Sequence, residues 1–264
     1  MKATDLYILI NDFVRLDPGN SIPDGPKIFQ DPIVGFARAD DAIFDEFKNS
    51  DVISPLHRHP TEWLSSAKTV VSYFLPISDD IITSNVEGDS ASRHWIFARF
   101  WGEALNDRLR RILVARLQKA GYEAVAPLLD PEYEVRDLKS NWSERHVALA
   151  AGLGTFGLNR GLITSRGLAG RFGSVVTSLE LEPTPRGFDE HFEACPHLAG
   201  GTCGECIPRC PAGAIAAEGK DLSICRNYLR EVEGPGVRSR LGFPYSPCGK
   251  CYVDVPCESG IPSQ

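Results

Sequence analysis

The sequence predicts a mixed α/β (α+β) domain followed by a cysteine-rich, metal-binding segment. Three observations carry this. Strand-like and helix-like stretches interleave over residues 1–183. All eight cysteines fall in the last 70 of the 264 residues, from Cys195 to Cys257. The composition, 42% apolar and 24% charged, is that of an ordinary folded chain long enough to bury a core. The net charge of −7 weighs against an extended nucleic-acid footprint. No apolar run reaches the length of a membrane span. Asp5 and Asp12 interrupt the apolar N-terminus and no small-residue cleavage site follows, so no signal peptide is expected. The expected compartment is cytoplasmic, where thiols stay reduced and disulfides are not expected.

Taken in order, residues 1–60 read as loop-rich, with "DPGNSIPDGPKIFQDP" as a punctuated stretch and "IVGFAR" as a strand. "AKTVVSYFLPI" is a continuous apolar run rich in Val, Tyr and Phe, the pattern of a buried strand. Arg93 to Ala120 reads as a helix with Leu105, Leu109, Ile112, Leu113 and Leu117 on one face; the arginine cluster Arg108–Arg111, Arg110 included, reads as its solvated face. Gly121 stops it, and "EAVAPLL" reads as a strand. "SERHVALAAGLG" reads as a second helix, and "GLITSRGLAGRFGSVVTSLELE" as a hairpin or paired strands. "EPTPRGFDEH" reads as a linker, which divides the chain into an α/β domain (1–183) and a cysteine domain (184–264).

Two motifs before the cysteines need weighing. "GLGTFG", Gly152 to Gly157, matches G-x-G-x-x-G, but a helix precedes it where a dinucleotide site requires a strand. The remaining readings are a helix stop at Gly152 with a tight loop, or a backbone that a flat cofactor approaches closely. "HRHP" sets His57 and His59 in a loop without a visible third ligand, and both read as solvated histidines.

The cysteine segment carries the chemistry. Cys203-x2-Cys206-x3-Cys210-Pro211 reproduces the end of the bacterial ferredoxin run C-x2-C-x2-C-x3-C-P. Gly200 stands where that run's first cysteine falls, and Cys195 supplies a thiol from five residues upstream. Cys225, Cys248, Cys251 and Cys257 follow. Eight thiolates make two sets of four, as two [4Fe–4S] clusters require. Because the last cysteine of such a run ligates the other cluster, the expected sets are Cys195, Cys203, Cys206 and Cys257, and Cys210, Cys225, Cys248 and Cys251. Zinc is the competing reading, since Cys203/Cys206 and Cys248/Cys251 are both C-x2-C knuckles. The x3 step to Cys210, the proline after it and the following "AGAI" favour iron–sulfur.

"PTEWLSSAKTVVSYFLP", "AAGLGTFGLNRGLI", "CGECIPRCPAGAI", "CRNYLREVEG" and "CGKC" occur in that order. Together they resemble the epoxyqueuosine reductase family over about residues 30–258, and beyond it the reductive dehalogenases. The resemblance implies a nitroreductase-like N-terminal domain that holds cobalamin, followed by a ferredoxin-like double [4Fe–4S] segment. It implies an oxidoreductase in which a low-potential donor of ferredoxin or flavodoxin type feeds the clusters, the clusters feed cobalt, and Co(I) is the reducing nucleophile. Gly152, Gly154, Gly157 and Asn159 become the candidate corrinoid-binding residues. The sequence also departs from the family. Cys251-x5-Cys257 is followed by Glu258 rather than closing on the family's cysteine-proline run, and Leu105 and Asn106 stand in place of a Tyr-His pair. The general-acid aspartate aligns with Leu138, which leaves Asp137, one residue away, as the candidate catalytic acid. These departures and the acidic charge weigh against tRNA as the substrate and leave a small-molecule or corrinoid partner. A protein that only transfers electrons, with no substrate of its own, is the alternative.

Overall fold

The computed structural model describes residues 1–263. The elements run in chain order as α1 (Ala3–Leu16), β1 (Ile33–Arg38), α2 (Ile43–Glu46), α3 (Pro60–Trp63), β2 (Thr69–Pro76), α4 (Asp79–Ser84) and α5 (Arg93–Lys119). Then come β3 (Ala124–Val125), β4 (Val135–Arg136), β5 (Lys139–Ser140), α6 (Glu144–Ala150), β6 (Gly154–Phe156), β7 (Leu162–Thr164) and β8 (Gly170–Thr177). The cysteine segment adds α7 (Pro196–Gly200), β9 (Ile215–Ala216), β10 (Gly219–Lys220), α8 (Leu222–Asn227) and α9 (Gly234–Leu241).

The main sheet has the order β1-β2-β8-β3, and every pairing in it is antiparallel. The class is therefore α+β, because interleaved helices do not by themselves fix strand direction. All eight residues of β2 are buried, and their alternation serves two faces. Val71, Tyr73 and Leu75 pack with the leucines of α5 and with Leu6, Ile10 and Val14 of α1. Val70 and Phe74 pack on the other side with Val147 and the alanines of α6. The sheet is sandwiched between helices, which explains why β2 reads as an unbroken apolar run.

Three expectations need correction. Residues 1–60 are not mainly loop at the start: α1 is a 14-residue helix whose Leu6, Ile10 and Val14 recur at helical spacing. "EAVAPLL" keeps a strand only at Ala124–Val125, since Pro127, which lacks a backbone donor, opens a 3₁₀ turn. The stretch from Leu162 to Thr177 is not one hairpin. β7 pairs back on β6, while β8 enters the main sheet between β2 and β3. The Thr164–Gly167 turn, with Gly167 at φ 73°, divides them.

The linker is pinned to the sheet: Thr184 N donates to Phe36 O at 2.9 Å and Phe36 N donates to Thr184 Oγ1 at 3.0 Å. The cysteine segment docks mainly through buried polar anchors. Lys250 Nζ donates to Asn85 O at 2.8 Å and to Glu87 O at 2.6 Å. Asn159 Nδ2 donates to Cys251 O at 2.7 Å, and Arg209 donates to Val86 O at 2.9 Å.

Candidate iron–sulfur site and charged cleft

The eight thiols line two separate cavities. Cys195, Cys203, Cys206 and Cys257 surround a small one of about 20 Å³. Cys210, Cys225, Cys248 and Cys251 line a larger one of about 310 Å³. Local structure explains the placement. Cys195 caps α7, and Cys203, Cys206 and Cys210 sit on successive tight turns, with Ile207 N bonded to Gly204 O and Cys210 N to Ile207 O. Cys225 is carried by α8, which Asp221 caps through Ser223 N and Ile224 N. Cys248 and Gly249 both take positive φ and swing Cys251 back towards Cys210 and Cys225.

Burial and neighbouring thiols push the Cys206 and Cys257 thiols up to about 12, and burial does the same at Cys248. Buried thiols of this kind stay protonated in the absence of a metal, so metal uptake releases protons. Lys220 Nζ lies 3.5 Å from Cys251 Sγ and brings a positive charge to the second set. Four thiols around a void suit a cluster. Among the described residues, no three His, Cys, Asp or Glu side chains converge on a single-ion site.

Gly170, Arg171 and Tyr252 line both the larger thiol cavity and a neighbouring cleft of about 360 Å³. The cleft is charged. Arg110, completely buried on α5, holds Glu103 at 2.9 Å, Asp107 at 2.7 Å and Glu144 at 3.2 Å, and donates to Phe172 O at 3.0 Å. Arg171 Nε stands 3.9 Å from Glu103. Three buried polar atoms there have no hydrogen-bond partner: Arg110 Nε, Arg171 Nε and Glu144 Oε2. Such orphans call for a polar ligand or water. Burial pulls Arg171 down to about 10, with Arg99 adding to the effect. Burial also raises the Glu144 carboxyl above its ordinary value in spite of Arg110. At Glu103 burial pushes upward too, but Arg171, Arg110 and Arg99 outweigh it and hold the carboxyl below its ordinary value.

The residues singled out from the resemblance lie elsewhere. Gly152 ends α6 at φ 73°, and an added Cβ would lie 2.9 Å from Pro185 O. At Gly154 the Cβ would lie 2.0 Å from Ile163 O. Both glycines admit protein backbone rather than a flat ring. Gly157 and Asn159 line the small thiol cavity, and Asn159 also accepts from Gly161 N at 2.9 Å. Asp137 is exposed at the tip of the β4–β5 hairpin, where Asp137 and Leu138 both take positive φ, and it is not among the residues lining the cleft. Leu105 is core, and Asn106 is buried between Tyr73 Oη at 2.8 Å and Phe172 O at 2.9 Å. His57 is buried, not solvated: it stacks on Trp142 and its Nε2 accepts from Ser143 N at 3.3 Å. His59 is half-exposed and caps α3. Of the Arg108–Arg111 cluster, Arg108 and Arg111 face outward, Arg108 pairing with Asp17 at 2.5 Å, but Arg110 is not solvated: it is buried because three carboxylates converge on its guanidinium.

Arg110, Glu144 and Arg171 were not legible as site residues. Glu103, Asn106 and Arg110 recur at i, i+3 and i+7, a polar stripe flanking the leucine face of α5, and this was the available signal.

No family model matches the chain. Epoxyqueuosine reductase of Listeria monocytogenes is 30% identical over 177 residues, covering 64% of this chain and 43% of that protein. Epoxyqueuosine reductase of Bacillus anthracis is 26% identical over 216 residues, 77% of this chain and 51% of its own length. The chain is similar to the epoxyqueuosine reductases. It spans about half the length of the curated relatives it matches. The fold agrees. The structure of epoxyqueuosine reductase from Streptococcus thermophilus superposes with a TM-score of 0.52 at 20% identity, over 88% of this chain and 64% of that one. A catabolic reductive dehalogenase gives 0.56 at 14% identity, over 87% of this chain and 30% of that one. Among the described residues no helix is long and apolar enough to cross a membrane.

Proposed function

We propose that this protein is an iron–sulfur oxidoreductase similar to epoxyqueuosine reductase. Its cysteine domain, residues 184–264, is a ferredoxin-like unit holding two [4Fe–4S] clusters on a nitroreductase-like domain, residues 1–183. The observation that carries the reading is the sorting of eight thiols into two sets of four around two cavities. Gly170, Arg171 and Tyr252 connect the second set to the charged cleft. The cleft is the site of the reduced group.

A corrinoid is the proposed second cofactor. A solved reductive dehalogenase of related fold is described as B12-dependent, with a TM-score of 0.53 at 14% identity. The cleft offers orphaned polar atoms on Arg110, Arg171 and Glu144, which suit the amide fringe of a corrinoid better than an apolar ring alone. Clusters supply one-electron steps and a corrinoid supplies a strongly reducing centre when bound. The chain's own residues do the rest. Eight thiolates would hold the iron, Lys220 sets a positive charge beside Cys251 of the second set, and Arg110 fixes three carboxylates at the cleft wall. The electrons come from a low-potential protein of ferredoxin or flavodoxin type.

The test is anaerobic titration with hydroxocobalamin under a low-potential reductant. One corrinoid bound per chain, and reduced there, is expected, and Arg171→Met should weaken binding about tenfold, the value of one lost charge-assisted hydrogen bond. Clusters without corrinoid binding would replace this reading with an electron carrier that has no substrate of its own, which the exposed position of Asp137 favours.

A further inference from the structure

The cleft contains two carboxylates tied to one guanidinium but differently placed. Glu103 lies among Arg99, Arg110 and Arg171, at 3.6, 2.9 and 3.9 Å. Glu144 meets one of these arginines, Arg110, at 3.2 Å from Oε1; the Ser174 hydroxyl lies beside its carboxyl, and its buried Oε2 makes no hydrogen bond. Glu144 opens α6, its side chain is 11% exposed, and it lines the cleft together with Arg171 and Tyr252, the residues shared with the second thiol cavity.

We propose that Glu144 is the proton-holding group of the cleft, fixed by Arg110 as a positioning residue, and that it supplies protons to the bond reduced there. The inference rests on the oxidoreductase reading above and assigns the acid that Asp137, out on its hairpin, does not provide. Reductive cleavage of a polar bond R–Y takes two electrons, which the low-potential donor would supply by way of the clusters that the eight thiolates would hold. Two protons are needed to give R–H and H–Y. Glu144 hands them over one at a time and is recharged by water at the mouth of the cleft.

The electrostatic setting supports the division of labour. Facing Glu144 are Arg110, Glu103 and Asp107 from α5, Tyr73 from β2 and Arg171 from β8. Tyr133 approaches from the loop before β4, Arg145 lies on its own helix, and Tyr252 comes from the cysteine segment. Burial drives Glu144 towards its neutral form while three arginines keep Glu103 ionised. Two carboxyls pushed apart in this way is the arrangement expected of an acid and a fixed counter-charge.

The experiment is infrared difference spectroscopy of the cluster-loaded protein across a pH series, with iron and sulfide assayed on the same sample. A protonated-carboxyl band at neutral pH is expected, titrating above the ordinary glutamate range and absent in Glu144→Gln at full iron content. The midpoint potential of the cluster nearer the cleft should fall as pH rises through that titration, and be flat in Glu144→Gln. A wild-type protein with no protonated carboxyl at neutral pH overturns the proposal, as does a band that survives in Glu144→Gln. If the variant does not fold, the wild-type titration alone decides. Absence of iron and sulfide defeats the oxidoreductase reading instead, and the carboxyl band of the iron-free chain still tests Glu144.

Discussion

Lys220 lies 3.5 Å from the sulfur of Cys251 and close to the ring of Tyr252. A positive charge beside a cluster thiolate stabilises the reduced, more negative state. Lys220→Met is therefore expected to make one cluster harder to reduce and leave the other nearly unchanged, which potentiometric EPR titration reads directly. His57 gives a stability prediction with a defined sign. Burial, helped by Lys48, lowers it to about 4 from an unfolded value of about 6.5. Below about pH 6.5 the unfolded chain binds a proton that the folded chain refuses. Its stabilisation is present above that pH and is lost as pH falls towards 4, by about 3 kcal/mol in all. Thermal midpoints between pH 7 and 5 should fall in the wild type and fall less in His57→Phe. Arg110 tests the cleft's cohesion. Arg110→Met takes the shared guanidinium from half-buried Asp107 and Glu144 and one of three arginines from Glu103, and is expected to cost about 3 kcal/mol in denaturant unfolding. The cysteine pattern was legible because the cluster ligation proposed for it imposes spacing on a chain. Arg110 and Glu144 were not, since their importance lies in what α5, α6 and β8 bring together across the fold.

At the scale of elements, the long helix was readable almost to its ends, since Ser92 caps it through Trp95 N and a leucine stripe marks its buried face. The buried strand β2 was readable for the same reason, an apolar run of strand length. The partners of β8 were not readable, because alternation gives a strand's faces but not its neighbours. The first helix carries its period in Leu6, Ile10 and Val14, but the glycine- and proline-rich stretch that follows masks it in the sequence. The turn before Cys251 is the most exacting element of the cysteine segment. Gly249 takes φ 78°, and an added Cβ would lie 2.3 Å from the indole of Trp95. Gly249→Ala combines left-handed strain with a clash against α5 and is expected to cost about 2 kcal/mol or more. The corresponding measurement is iron content with thermal midpoint, and the loss should fall on the cluster held by Cys210, Cys225, Cys248 and Cys251.

At the scale of the whole molecule, the sheet has its own apolar core, whereas much of the cysteine segment's interior consists of thiols and a few aliphatic side chains around them. On the proposed reading, ligation supplies the folding energy that short helices and two-residue strands cannot. Chelation of iron is expected to expose backbone amides over residues 195–257 to hydrogen exchange while β2 and β8 stay protected. Uniform protection throughout would show a segment that folds without metal. The most direct test of the central claim is an anaerobic assay of iron, acid-labile sulfide and zinc on the intact chain. The account predicts about eight irons and eight sulfides per chain and no zinc. Two zincs without sulfide would contradict it.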